Sequence, residues 1–224
     1  PAIPPADSED GLPLGTAELL APLPEPRVLY GVGLNYAGHA AEQGAELPPA
    51  PIIFTMQPGS AAPPFGEIVC PPVVRRLDYE GELAVIIGAG GRIAGYAVAN
   101  DVSARDLQKR ERQWTRAKGF DGACPFGPWI TTADEVDDPM ALRLTVDVNG
   151  ERRQDSSTGD MIFSPQQICD FLSETCTLQP GDVILTGTPA GVGMSMDPPR
   201  FLEDGDVVRI EIEPLGAIQQ SVRV

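Results

Sequence analysis

Three carboxylates, Asp78, Glu80 and Glu82, alternate along the segment LDYEGELAVIIG. At i, i+2 and i+4 of an extended chain they project from one face, and Gly81 leaves room on the other. Like charges placed directly before a buried strand either push one another's pKa values up or share a hard cation; the alternative is an exposed acidic strand end. Asp101, at the C-terminal end of GYAVAN, offers a further oxygen from a neighbouring strand, or else serves as a helix cap or turn residue. The only histidine, His39, stands three residues before Glu42. On one helical turn the two touch, and the carboxylate then fixes the imidazole tautomer for work as a general base; the alternative is a surface histidine. A single histidine excludes metal sites built from several imidazoles, so any ion here is held mostly by oxygen.

Lys118 sits in RAKGFDGACPFGPW, after a charged helix and before a rigid Pro/Gly loop that can hold an ammonium against an anion; a solvated lysine is the alternative. Thr188 lies in GTPAGVG, where successive backbone N–H groups and a hydroxyl form either a carboxylate-binding nest or a plain turn. Pro189 occupies the position a serine nucleophile would need, and neither a phosphate-cradling GxxxxGK[ST] nor a GxGxxG is present. Serine-hydrolase, nucleoside-triphosphatase and dinucleotide-binding chemistry therefore lose their usual signatures. Cys124 reads as a packed thiol rather than a nucleophile, because the one histidine is placed in another segment.

The elements that must position these groups are mostly strands. Short apolar or alternating runs at Val28–Leu34, Ile52–Met56, Leu83–Ile87, Gly95–Asn100, Leu142–Val148, Val183–Thr186 and Asp206–Glu213 predict strands, with an edge strand in GEIVCPP. Asn149-Gly150 predicts a tight hairpin after Leu142–Val148. Helices are predicted at Tyr36–Gln43, at Ser103–Arg116 with Ser103 as N-cap, and at Ser164–Thr175. The 24 prolines and 24 glycines fall between these runs. Residues 1–27 hold seven prolines and read as a leader to a domain at 28–224. The 224 residues are 42% hydrophobic, enough for a sizeable core. A formal charge of −16 repels nucleic acid and anionic lipid. Four scattered cysteines, with no apolar run of membrane-spanning length and no signal core, point to reduced thiols and a cytoplasmic setting.

In order, GLNYAGHAAEQG, LDYEGELAVIIG, GYAVANDVSARDLQ, AKGFDGACPFGPW and LQPGDVILTGTPAGVG resemble the fumarylacetoacetate hydrolase superfamily over residues 28–224. The resemblance implies an α+β fold, a mixed β-roll with peripheral helices of the superfamily's C-terminal domain type, and a homodimer. It implies a Mg²⁺ or Mn²⁺ ion held by Glu80, Glu82 and Asp101, which leaves Asp78 outside the ligand set. Lys118 would assist near the metal-bound oxygens, Arg105, Gln108 and Thr188 would contact the substrate carboxylate, and His39 with Glu42 would be a dyad on a lid helix. Where many relatives carry F-x-K, this chain reads Phe54-Thr55-Met56, so a substrate with an extra distal carboxylate is expected to be less favoured. The expected activity is metal-dependent hydrolysis of a carbon–carbon bond in a small 2,4-dioxo acid of the acylpyruvate or fumarylpyruvate type, releasing pyruvate or a related acid. The alternatives are isomerisation of 2-hydroxyhepta-2,4-diene-1,7-dioate and decarboxylation of a β-keto acid of the oxaloacetate type, in aromatic catabolism. A non-catalytic binding protein is disfavoured, because the ligands, the lysine and the dyad are all present together.

Overall fold

The computed structural model describes residues 18–224, so residues 1–17 of the leader lie outside the described residues. Strands are numbered in chain order: β1 (Leu29–Gly33), β2 (Ile52–Met56), β3 (Ala61–Ala62), β4 (Phe65–Val69), β5 (Leu77–Asp78), β6 (Gly81–Ile87), β7 (Ile93–Asn100), β8 (Ser103–Ala104), β9 (Cys124–Thr132), β10 (Arg143–Val148), β11 (Glu151–Ser157), β12 (Val183–Leu185), β13 (Val207–Ile212) and β14 (Gly216–Arg223). The helices are α1 (Ala37–Glu42), α2 (Arg105–Arg110), α3 (Thr115–Lys118) and α4 (Pro165–Ser173). A seven-stranded sheet runs β2-β1-β12-β6-β7-β9-β3, a five-stranded sheet runs β11-β10-β13-β14-β4, and β5 pairs with β8 alone. Most pairs are antiparallel; β1 with β12, β3 with β9 and β4 with β14 are parallel. This is the mixed α+β roll of the resemblance, with few helices.

The main core fills the space between the two sheets, because the alternating strands turn their apolar sides inward. Val208, Ile210 and Ile212 of β13 meet Leu144 and Val146 of β10 and Leu83, Val85 and Ile87 of β6. Burial of each such side chain contributes roughly 1.5–3 kcal/mol. The continuous aliphatic run of β6 is buried on both faces, so Ala84 and Ile86 point into a second, smaller cluster with Ala97, Phe126, Val183 and Leu185. Ala21 is part of that cluster, so the last stretch of the leader packs against the domain. The Asn149-Gly150 hairpin forms with both residues at positive φ, 53° and 78°, as a twisted two-residue connection requires. In α4, Ser164 and Gln167 form the reciprocal cap that its sequence predicts.

Two expectations fail. The helix predicted over Ser103–Arg116 is broken: Ser103–Ala104 pairs with Leu77–Asp78, α2 ends at Glu111 in extended backbone, and α3 starts afresh. Ser103 does not cap; its hydroxyl donates to the carbonyl of Asp101, and the residue before α2 is Ala104. The rigid loop predicted after Lys118 is the nine-residue strand β9. Its Pro128 falls where the ladder to β7 shifts register, and Pro125 pairs with the two-residue β3, so the missing N–H groups break little of the ladder.

Candidate active site

The β6–β7 register sets the acidic group. Gly81 pairs with Asn100, and the ladder extends one step further through the Asp101 N–H, which donates to the Glu80 carbonyl. Asp101 is thereby carried beside Glu80, while Glu82 returns to the same face two residues on. Oxygens of the three carboxylates lie within 4.8 Å of one another, and all three residues are buried. Gly81 faces the other way, against Val146, Ile210 and Leu144 of the second sheet, where a side chain would collide. Asp78 leaves the triad: its carboxylate accepts from the Gly193 and Met194 N–H groups and from Arg105 Nε at 2.8 Å.

Arg105 is placed by the β5–β8 pairing and is held between carboxylates of the protein. Besides Asp78, it pairs through Nη2 with Glu80 at 2.6 Å and donates through Nη1 to Gln108 Oε1 at 3.0 Å. It is a strut between carboxylates, and Gln108 keeps its amide nitrogen as a donor. Lys118, at the end of α3, donates to Glu80 at 2.6 Å and to Asp101 at 2.7 Å. The Thr188 hydroxyl donates to the Gly81 carbonyl and accepts from Gln154 Nε2, both at 2.9 Å, so its proton is committed inside the fold. The GTPAGVG loop does bind carboxylates through backbone N–H groups, but they are the protein's own: Gly187 holds Glu82, Gly191 holds Glu42, and Gly193 holds Asp78.

His39 and Glu42 touch as their spacing on α1 predicts, at 2.6 Å from Nδ1 to Oε1. A carboxylate only accepts, so Nδ1 carries the proton. Nε2 is then the acceptor, and it faces the Gln43 amide nitrogen at 2.7 Å. His39, Glu80, Arg105, Gln108, Lys118 and Thr188 all line one cavity of about 700 Å³. The fumarylacetoacetate (FAA) hydrolase C-terminal family matches residues 28–223. The chain belongs to that family.

Relatives within and around the FAA hydrolase family have named activities. The mitochondrial oxaloacetate tautomerase Fahd2a of Rattus norvegicus is 43% identical over 222 residues, covering 94% of this chain and 71% of that protein. Oxaloacetate tautomerase YisK of Bacillus subtilis is 41% identical over 224 residues, covering 93% of this chain and 74% of that protein. The crystal structure of 2-hydroxyhepta-2,4-diene-1,7-dioate isomerase from Mycobacterium marinum matches with a TM-score of 0.79 at 41% identity, covering 91% of this chain and 77% of that one. The protein is an enzyme of this superfamily.

The donor set of this FAA hydrolase-family chain fits a divalent ion. Asp78, Glu80, Glu82 and Asp101 are buried together, and among the described residues Arg105 and Lys118 are the buried lysine and arginine side chains, so with all four carboxylates ionised the group keeps two negative charges, which one such ion cancels. Asp101 Oδ1 is buried with no hydrogen-bond partner. Burial, with Asp101 and Glu80 alongside, pushes the Glu82 carboxyl well up. Asp101 is pushed up to about 6, by burial first and by Glu80, against the pull of Lys118. Glu80 is the exception: burial acts to raise it, yet Lys118 and Arg105 hold it down at about 2. Three hard oxygen donors with one unsatisfied atom suit Mg²⁺ or Mn²⁺ better than a softer metal. Burial, with Asp101 and Glu82 near, pushes the Cys124 thiol well up, which suits a packed thiol and not a nucleophile.

Sequence reasoning missed two residues. Gln154 accepts from the Gly81 N–H at 3.0 Å and donates to Thr188 and the Pro189 carbonyl, bracing the triad's strand against the loop. Nothing but its inward place in the β11 alternation marks it. Gln43 had a signal, its i+4 spacing from His39.

Proposed function

We propose that the protein is a metal-dependent tautomerase that interconverts the keto and enol forms of a small 2-oxo acid of the oxaloacetate type. The observation that carries this reading is that His39, whose Nδ1 is held by Glu42 so that Nε2 is left as the acceptor, lines the same cavity as Glu80 of the buried carboxylate triad. The tautomerase and isomerase names of relatives at 41–43% identity support it over the hydrolysis that the sequence reading ranked first.

Glu80, Glu82 and Asp101 would hold Mg²⁺ or Mn²⁺, which supplies Lewis-acid polarisation of the 2-oxo acid. His39 Nε2 takes a proton from C3 once substrate displaces the Gln43 amide. The C–H electron pair forms the C2=C3 bond, and the carbonyl π pair moves to the C2 oxygen. Lys118 has three N–H donors, two of them used by Glu80 and Asp101, and the third serves the oxygen that gains charge. Glu42 holds the imidazolium that forms. His39 then returns the proton to the enol oxygen, and the reverse sequence makes the ketone. Gln108, through its amide nitrogen, contacts the substrate carboxylate; Arg105 and Thr188 hold the wall behind it.

A homodimer is part of the proposal, supported by Phe65 and Val69, exposed on the edge strand β4. A reducing setting, cytoplasmic in the sequence reading, is supported by four free cysteines. No helix among the described residues is long and apolar enough to cross a membrane. The decisive assay mixes freshly dissolved enol oxaloacetate with EDTA-stripped protein, with and without Mg²⁺ or Mn²⁺, and follows the enol absorbance while pyruvate and carbon dioxide are measured. Metal-dependent loss of enol without either product is expected. Pyruvate with carbon dioxide would mean a decarboxylase, and metal-dependent cleavage confined to an acylpyruvate would restore the hydrolase reading.

A further inference from the structure

The catalytic cavity is cationic in an acid-rich chain. The protein holds 32 acidic and 16 basic residues, yet the cavity wall carries Arg76, Arg105, Lys109 and Lys118 against one acid, Glu80. Arg105 and Lys118 are neutralised by the buried carboxylates. Arg76 and Lys109 are different: both are exposed, and among the described residues neither pairs with a carboxylate. The fold brings them to one rim. The Arg105 N–H donates to the Arg76 carbonyl where β8 runs into α2, so Arg76 starts beside the strut arginine. Its guanidinium lies 5.7 Å from the centre of the Phe201 ring, a second wall residue. Lys109 follows Arg105 by four residues on α2, hence on the same face and about 6 Å further out. Along that helix the wall passes from buried Arg105 through half-buried Gln108 to exposed Lys109.

Resting on the tautomerase reading, we propose that Arg76 and Lys109 form a subsite for a second, distal carboxylate, so that the enzyme selects 2-oxo acids that are dianions. The charge sequence matches such a molecule: the triad and Gln108 take the 2-oxo acid end, and two unpaired cations wait at the mouth. The Met56 departure does not argue against this. Its side chain is buried in the smaller core with Leu29, Cys124 and Phe126, and it is not part of the cavity wall. Met56 therefore removes nothing that a substrate would meet, and the distal charge is met by Arg76, just before β5, and by Lys109 of α2 instead.

The test compares oxaloacetate with its 4-methyl ester, which keeps the 2-oxo acid end and removes the distal charge, on the Mg²⁺-loaded protein, each rate taken relative to the uncatalysed enolisation of the same compound. The wild type should prefer the diacid in kcat/KM by about tenfold, the size of one charge-assisted hydrogen bond. In Arg76→Gln/Lys109→Gln that ratio should fall to about one, through a higher KM for the diacid, and Arg76→Lys should recover part of it. The diacid preference should also shrink as ionic strength rises, in the wild type only. Arg92→Gln, which removes an exposed charge outside the cavity, should keep the wild-type ratio. An unchanged ratio in the double variant, or equal losses on both compounds, would overturn the subsite. If the wild type turns over neither compound, the tautomerase reading fails separately. The ratio of dissociation constants for diacid and ester, measured by calorimetry on the same proteins, then decides the subsite by the same criterion.

Discussion

Burial holds the Asp101 carboxyl closer to its protonated form than an exposed aspartate would be, and a divalent ion must compete with that proton. Its folded pKa of about 6 lies above the ordinary aspartate value, and Glu82 is raised in the same direction, so the metal-free fold loses stability as pH rises through about 6 and these groups ionise. An ion bound to the ionised triad reverses that loss. The rise in Tm on adding Mg²⁺ should therefore be small near pH 5 and grow as pH climbs through about 6, a profile that thermal melts with and without EDTA can follow. A flat profile would separate ion binding from these carboxylates. His39→Asn should lower turnover by about 10²–10⁴-fold while keeping the Mg²⁺-dependent Tm shift, since the proposed mechanism uses the imidazole as the base and not as a ligand. Asp78→Asn removes a full charge from beside buried Arg105 and should cost about 3–5 kcal/mol in urea unfolding, the usual scale for breaking a buried ion pair. Glu80, Glu82, His39 and Glu42 were legible because a 2-residue or 3-residue spacing is itself geometry. The partners of Arg105 and Thr188 within the fold were not, because which acceptor takes a hydrogen-bond donor depends on chain segments that the sequence does not place together.

At the level of elements, the site depends on how closely the two sheets approach. Gly81 sits against Val146 and Ile210, and the strands either side of it hold Glu80 and Glu82 in place. Gly81→Ala should destabilise the fold by about 1–3 kcal/mol and weaken Mg²⁺ binding together, because the inserted methyl pushes β6 off the second sheet. Urea unfolding and a calorimetric Mg²⁺ titration read the two effects; lost stability with unchanged affinity would show that the approach of the sheets does not shape the triad. Strands with strict alternation or a continuous aliphatic run, such as β10, β13 and β6, were visible in the sequence because one period decides them. In β9 two prolines hid the strand, and in α2 and α3 an amphipathic spacing spanned a break that the β5–β8 pairing imposes. Both errors came from tertiary pairing overriding a local signal.

For the whole molecule, the balance of charge matters more than its sum. A protein at −16 gathers the carboxylates of Asp78, Glu80, Glu82 and Asp101 around two buried cations and lines the same cavity with the exposed Arg76 and Lys109. The loop from Gly187 to Met194 ties these regions together, holding Glu82, Glu42 and Asp78 by backbone N–H groups and so linking helix α1 to the triad and to Arg105. That linkage is a property of the assembled fold, and no single motif announces it. The most direct test is hydrogen–deuterium exchange at C3 of oxaloacetate in D₂O, followed by NMR on metal-stripped and Mg²⁺-loaded protein and on His39→Asn. The account predicts rapid exchange by the loaded wild type alone, with the carbon skeleton intact. Exchange that persists without metal or without His39, or loss of the skeleton as fast as exchange, would contradict it.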